Sequence, residues 1–295
     1  MKPSHLLLAI LVVFVWGTNF VVIKWSLAEI PPFLLAALRF LFSALPWMFF
    51  MPRPSVSWGR LATFGLLLGV GQFGLLFYAM QADISPGLAS LVIQSQVFFT
   101  VGASVVLAGE RVRPVQILAV ALAVSGIVLI GWHIARDAST LTTPLGLALI
   151  LLAAASWAGA NLVVRGAGKV NALAFIVWSS PFSVPVLLAM SWAMEGPDVM
   201  VHALAHASWA GWGGVLWQAV GNMLFGFAAW NWLMARYPAA TITPVALLVP
   251  VFGMSSSALL LGEPLPGWKL LAAALVVGGL GLNVWASRQA SGGGG

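Results

Sequence analysis

Ten long apolar runs constrain this chain more than any other feature of its sequence. A bilayer hydrocarbon core of about 30 Å takes roughly 20 apolar residues per helix. Runs of that kind cover residues 4–24, 32–51, 59–80, 85–107, 114–132, 143–164, 171–191, 209–235, 239–261 and 267–286. They are continuous rather than alternating, which predicts helices and not barrel strands. Helix-stopping residues punctuate them: Pro31-Pro32, Pro52-Arg53-Pro54, Ser85-Pro86-Gly87, Pro114, Pro144 and Gly262-Glu263-Pro264. Composition closes the soluble alternative. Of the 295 residues, 61% are hydrophobic and 7% charged, against roughly 45–50% and about a quarter in soluble domains. A water-soluble fold of this length leaves about a quarter of its surface wet, so the solvent must be lipid. Soluble enzymes are excluded, and so are nucleic-acid binders, despite the net charge of +6. There is no cysteine, which excludes disulfides, thiolate metal sites and thiol redox chemistry.

Most loops are short. The longest, about 192–208, is too small for a separate soluble domain, so function is expected inside the bundle. The apolar run behind Lys2 continues to Ile23 without a nearby small-x-small site, which argues against a cleaved signal peptide. Residues 289–295, glycine-rich, read as a flexible tail.

Ten spans put both termini on one side of the membrane. That side carries Lys2, Arg53, Arg60, Arg111, Arg113, Arg165, Lys169, Arg236 and Arg288. The other side has only Lys24, Arg136 and Lys269, while Arg39 lies within a span. The positive-inside rule makes the richer side cytoplasmic. The acids sort oppositely: Glu110 is cytoplasmic, and Glu29, Asp83, Asp137, Glu195, Asp198 and Glu263 are external.

The two halves echo each other. ILAVALAVSGIVLIGWHIA at 117–135 and LLAAALVVGGLGLNVWASR at 270–288 align at an offset of 153, sharing Gly126 and Trp132 with their later counterparts. Gly109-Glu110 and Gly262-Glu263 fall on the same offset. WGTNFVVIK from Trp16 echoes WAGANLVVR from Trp157, and Val70-Gly71-Gln72 echoes Val220-Gly221-Asn222. Similar apolar helices match by chance at Leu and Ala, but not readily at a shared Gly-Glu, Gly and Trp. We therefore expect an all-α membrane protein of ten transmembrane helices in two five-helix repeats, residues 1–140 and 141–288. An odd number of spans inverts the second repeat. Inverted repeats are the architecture of alternating-access carriers, with the site near the midplane.

Several of these residues form a pattern that resembles the drug/metabolite transporter superfamily, in particular its ten-helix EamA-type members. The matching pieces are Trp16-Gly17-Thr18-Asn19-Phe20, Pro31-Pro32 with Ala37-Leu38-Arg39-Phe40, Gly109-Glu110-Arg111 with Gly126, and Pro250 with Leu261-Gly262-Glu263-Pro264 and Gly279. The chain looks most like the bacterial exporters of aromatic and other amino acids. The resemblance implies a central cavity lined by spans 1, 3, 4, 6, 8 and 9. It departs from the family pattern at Val97, where proline is usual, and in lacking a second-half counterpart of Arg39.

Polar side chains in hydrocarbon usually face a bundle interior or a water-filled cavity. Trp16 and Asn19 share a face of span 1, and Trp157 and Asn161 a face of span 6. Gly71, Gly74, Tyr78 and Gln81 follow helical steps on span 3. Gln218, Asn222, Phe225 and Trp232 fall within roughly 80° of arc on span 8 at 100° per residue, while Trp217 also lies deep. Gln94 is near the middle of span 4, with Gln96 turned about 200° away. Each amide alone could be interhelical glue, worth about 0.6 kcal/mol. Clustered with aromatics on repeat-related spans, the set is expected to line a substrate path: Trp16, Asn19, Tyr78, Gln94, Trp157, Asn161, Trp217, Gln218, Asn222 and Trp232. Amides and a phenol suit an amino acid's polar ends, and indoles its ammonium or side chain. Arg39 is expected to be structural, paired with Glu29 or Asp83 or snorkelling to headgroups.

No Asp, Glu or His lies deep in a span, so no obligatory proton relay is expected. Gly69–Gly74 matches GxGxxG without a preceding strand, so close packing is the better account, as for the Gly65/Gly69 pair. His202 and His206 suit an interfacial helix better than a metal site. No catalytic motif, cofactor or metal is expected. The sequence reading is an inner-membrane exporter of amino acids or similar small metabolites, with the bilayer and its substrate as partners and no nucleic acid. A nucleotide-sugar or drug carrier, and a lipid-handling enzyme or structural membrane protein, are the alternatives.

Overall fold

The computed structural model describes residues 1–108, 113–136, 142–168 and 170–292. Gly109-Glu110-Arg111, Asp137, Lys169 and residues 293–295 lie outside them. Among the described residues, nine helices are long and apolar enough to cross a membrane. Spans 1, 2, 3, 5, 6 and 7 are Pro3–Ser26, Pro32–Phe49, Trp58–Ala82, Pro114–Arg136, Pro144–Arg165 and Ala172–Met194. Span 4 is helical over 86–108, span 9 over 239–261, and span 10 is Gly267–Gly292, six residues past its expected end. Span 8 is also continuously helical, as Trp209–Leu216, Trp217–Phe225 and Gly226–Met234. Its apolar run is diluted by Gln218, Asn222, Asn231 and glycines. The long loop contains a short helix, Pro197–His206, on which His202 and His206 stack with ring centroids 4.3 Å apart.

The packing carries the internal symmetry. Span 5 lies along span 10, span 2 along span 7, and span 4 against span 9. Span 1 packs on spans 8 and 9, and span 6 packs on spans 3 and 4. Exchanging each span with the one five later leaves these principal pairings unchanged, as an inverted repeat requires. The matched glycines explain the closest pairing. A Cβ on Gly126 would stand 2.8 Å from Cγ2 of Val276, and one on Gly279 would stand 3.1 Å from the Ala123 nitrogen. Each repeat thus lays its glycine on the other repeat's helix.

The spans are not uniform α-helix. Leu66–Gly74 in span 3 and Trp217–Phe225 in span 8 are wound as π-helix. Ile93–Ser95 in span 4 and Thr243–Leu247 in span 9 are 3₁₀. These irregular turns fall on repeat-related spans. π turns insert an extra residue into the helical ladder and recur at functional sites.

One end of the bundle carries both termini; at the opposite end carboxylates cap the helices that start there. Helix N-termini expose unpaired N–H groups and a positive partial charge. Spans 2, 4, 6 and 8 begin at this far end, and each receives an acid from another segment. Glu195 accepts from the Phe33 and Leu34 N–H groups of span 2, at 2.6 and 3.3 Å. Glu263 accepts from the Gly87 N–H of span 4 at 2.9 Å, and from Ser85 and Ser257. Asp83 accepts from Thr143, the cap of span 6, at 2.9 Å. Glu29 accepts from the Ser208 N–H and hydroxyl, the cap of span 8, at 2.6 and 2.8 Å. Lys269 donates to Glu263 at 2.9 Å, and Lys24 donates to the Met80 and Gln81 carbonyls that end span 3. Burial by itself raises the Glu263 carboxyl, but the Ser257 and Ser85 hydroxyls and Lys269 outweigh it and hold the group below the usual carboxylate range. The one-sided placement of the acids thus follows from which helices start there.

Candidate functional site

The polar interior is built where spans 1, 2, 3 and 8 meet. Arg39, on span 2, is fully buried. Its Nη2 donates to Oδ1 of Asn222 on span 8 at 2.9 Å. Its guanidinium carbon stands 3.7 Å from the Phe73 ring centroid on span 3. Nε and Nη1 have no partner, and no carboxylate of the described residues pairs with it. An unpaired ion held away from water costs several kcal/mol. One charge-assisted hydrogen bond returns about 1.5–3 kcal/mol and a desolvated aromatic face about 2 kcal/mol, so the group is only partly compensated.

Four of the expected residues, Trp16, Asn19, Gln218 and Asn222 itself, lie on the adjoining spans 1 and 8. Trp16 donates its indole N–H to the Asn222 carbonyl at 3.1 Å, and its ring leans on Phe227 and Trp230. Asn19, a turn further along span 1, is buried with its Oδ1 unpaired. Gln218 is buried one turn before Asn222, and its Nε2 donates to Ser26 at 3.4 Å while Oε1 is unpaired. On span 3, Gln72, the counterpart of Asn222 in the Val-Gly-Gln echo, is buried with Oε1 unpaired. Unsatisfied buried polar atoms are uncommon in folded proteins and costlier in lipid. Here unpaired donors and unpaired acceptors gather on adjoining spans.

The other expected residues lie elsewhere. Asn161 on span 6 donates to Oε1 of Gln96 on span 4 at 3.0 Å, with Gln94 buried a turn away and Trp157 half-buried against the core. Gln96, expected to point away from Gln94, faces span 6; the 3₁₀ turn Ile93–Ser95, which contains Gln94, immediately precedes it. Tyr78 stacks on Phe33, with centroids 5.4 Å apart and 18° between planes. Trp217 and Trp232 are 39% and 37% exposed. Trp217 lines a cleft of about 270 Å³ with Trp25 and Glu29 between spans 1 and 8. Trp232 sits under Arg236 and against His5. For Trp232 the π winding of Trp217–Phe225 intervenes: beyond it, a face drawn at 100° per residue no longer holds.

The sequence profile of the EamA-like transporter family matches residues 3–132 and 144–285, one stretch for each repeat. The chain belongs to the EamA-like transporter family. Among this EamA transporter's relatives, a probable amino-acid metabolite efflux pump of Salmonella typhimurium is 38% identical over 291 residues, 95% of each chain. Its counterpart by the same description in Escherichia coli is 36% identical over the same length and coverage. One solved crystal structure superposes with a TM-score of 0.62 at 21% identity, over 98% of this chain and 99% of that one, and so shares the fold.

Arg39 of this EamA transporter does not have the partners that the sequence suggested. It neither snorkels nor meets Glu29 or Asp83, because both acids are engaged at helix N-termini. Its position between Pro31-Pro32 and the span centre, without a repeat mate, was the available signal. Depth alone did not say which neighbouring helices enclose it. Trp178 of span 7 donates its indole N–H to the Met51 carbonyl at 3.0 Å. The glycine pair does pack closely: a Cβ on Gly69 would stand 2.5 Å from the Ser183 hydroxyl, and Gly65 abuts Ser179.

Proposed function

We propose that this EamA transporter exports amino acids, aromatic and other neutral, or similar small metabolites by alternating access, without an obligatory proton partner and without enzymatic chemistry. The convergence of Trp16, Asn19, Gln218 and Asn222 on one interior of an inverted repeat carries the reading. The two efflux-pump relatives support the substrate class. The basic residues, crowded on the end that holds both termini, support a cytoplasmic location for that end, in a bacterial inner membrane. The carboxylate-capped far end is then the external side. Tyr78, Gln94, Trp157 and Asn161 belong to the same path in our reading, on the spans related to the first group by the repeat. Trp217 and Trp232 reach it only in a conformation that turns span 8.

Counterflow of radiolabelled amino acids tests the proposal, using purified protein in liposomes and a panel including Trp, Phe, Met, Thr and Glu. Saturable exchange without an imposed ion gradient is expected. A panel without exchange overturns the substrate class, and exchange that collapses when a proton gradient is removed overturns uncoupled transport. Alanine at Asn19, Tyr78, Gln218 and Asn222 together is expected to abolish exchange; unchanged exchange removes them from the site.

A further inference from the structure

We propose that Arg39 is the carboxylate-binding residue of the transporter, held in this conformation by Asn222 and Phe73 until a substrate carboxylate takes its open donors. The inference rests on the amino-acid reading above and adds the part of the molecule that is recognised.

The argument begins with what Arg39 lacks. The side chain is wholly buried, yet Nε and Nη1 donate to nothing. A carboxylate meets a guanidinium bidentately through Nε with Nη2 or through Nη1 with Nη2, so it would take one open donor together with Nη2 as Asn222 releases it. No acid lies deep in any span, and among the described residues no carboxylate pairs with it. Three acids of the far end are committed: Glu195 caps span 2 itself, and Glu29 and Asp83 serve spans 8 and 6. A buried cation that the fold leaves unpaired awaits an anion from outside it.

The surroundings specify the anion further. The single neutralising contact is a neutral amide oxygen, Asn222 Oδ1, which a carboxylate can displace without leaving a buried charge behind. Unpaired amide oxygens stand on the adjoining spans at Asn19, Gln72 and Gln218. They are acceptors, suited to an ammonium and unsuited to a second negative charge. Donors for one carboxylate beside acceptors for one ammonium describe a zwitterion. A phosphorylated or polyanionic substrate does not fit one guanidinium among amide oxygens. Arg39 also sits seven residues, roughly 10 Å, below the start of span 2. A carboxylate bound there lies about two turns inside the helix start that Glu195 caps.

The test compares each transported amino acid with its carboxamide and its decarboxylated amine as competitors of counterflow, in liposomes carrying wild type, Arg39→Lys or Arg39→Gln. Wild type is expected to bind the two carboxylate-free analogues at least about 30-fold more weakly than the parent, in line with loss of a charge-assisted pair. Arg39→Gln is expected to weaken the parent by a similar factor and leave the analogues nearly unchanged, so that discrimination disappears. Arg39→Lys is expected to keep part of it. Equal competition by parent and analogues at wild type overturns the assignment, and this arm needs no variant to fold. A folded Arg39→Gln that still discriminates also overturns it. If wild type exchanges no amino acid at all, the substrate reading fails first and the assignment falls with it, a result visible before any variant is made.

Discussion

At Glu263 one carboxylate ties the end of span 9 to the start of span 4 and to Lys269 at the start of span 10. Its neighbours hold its proton affinity below the usual value of 4.5. A carboxyl depressed by folding stabilises the fold fully above its unfolded value and loses that contribution as pH falls through the folded one. Thermal stability in detergent is therefore expected to be insensitive to this group from pH 8 to about 5 and to decline below 4.5. Glu263→Gln is expected to lower the neutral plateau and flatten the acid limb, measured as Tm against pH. An acid limb unchanged in the variant would assign it to other groups. Gly126 offers a second residue test. Gly126→Leu drives a side chain into Val276 and the Ala272 carbonyl and is expected to cost about 1–3 kcal/mol or more, read as a lower Tm. Of these roles, the sequence showed Gly126 and Glu263 as repeat marks. It did not show that Glu263 caps a helix, because the partner loop is 176 residues away.

Among the elements, the ten helices were legible because lipid imposes length and composition on every span. The faces of spans 4 and 8 were not. Gln218 and Asn222 are interior as the 100° rule predicts, while Phe225 and Trp232 are more than a third exposed. The π and 3₁₀ turns that shift the phase have no composition of their own in Trp217–Phe225 or Ile93–Ser95. They arise from packing between helices, which a single helix's periodicity cannot report. Gly71 shows such a contact: in the π segment of span 3, a Cβ would stand 2.7 Å from that of Ser156 on span 6. Gly71→Val is expected to separate these spans, lowering both Tm and counterflow rate. A variant with wild-type values for both would show that the approach is dispensable.

For the whole molecule, the repeat was readable from short echoes at Gly-Glu, Gly and Trp, and the structure adds span pairings that survive exchange of the halves. The polar core was readable only in part: amides announce themselves in apolar runs, but Arg39 and Gln72 needed the packing to show where they converge. Membrane orientation is testable with one cysteine at a time, since the chain has none. Val199→Cys, on the short exposed helix of the long loop, is expected to react with an impermeant maleimide in intact cells. Ser4→Cys, beside the N-terminus, is expected to react only after permeabilisation. The reverse pattern would invert the assigned sidedness.

The π turns in spans 3 and 8 can be seen as stored length. Each holds one residue more than an α ladder would use over the same axial distance. Returning that residue to α geometry turns the helix beyond it by about 100° and advances it by about 1.5 Å. A screw motion of that size would carry Trp217 or Trp232 from the flank toward the core with nearly every backbone bond re-formed. Because the two turns sit on repeat-related spans, one half can take up a residue's worth of winding while the other releases it.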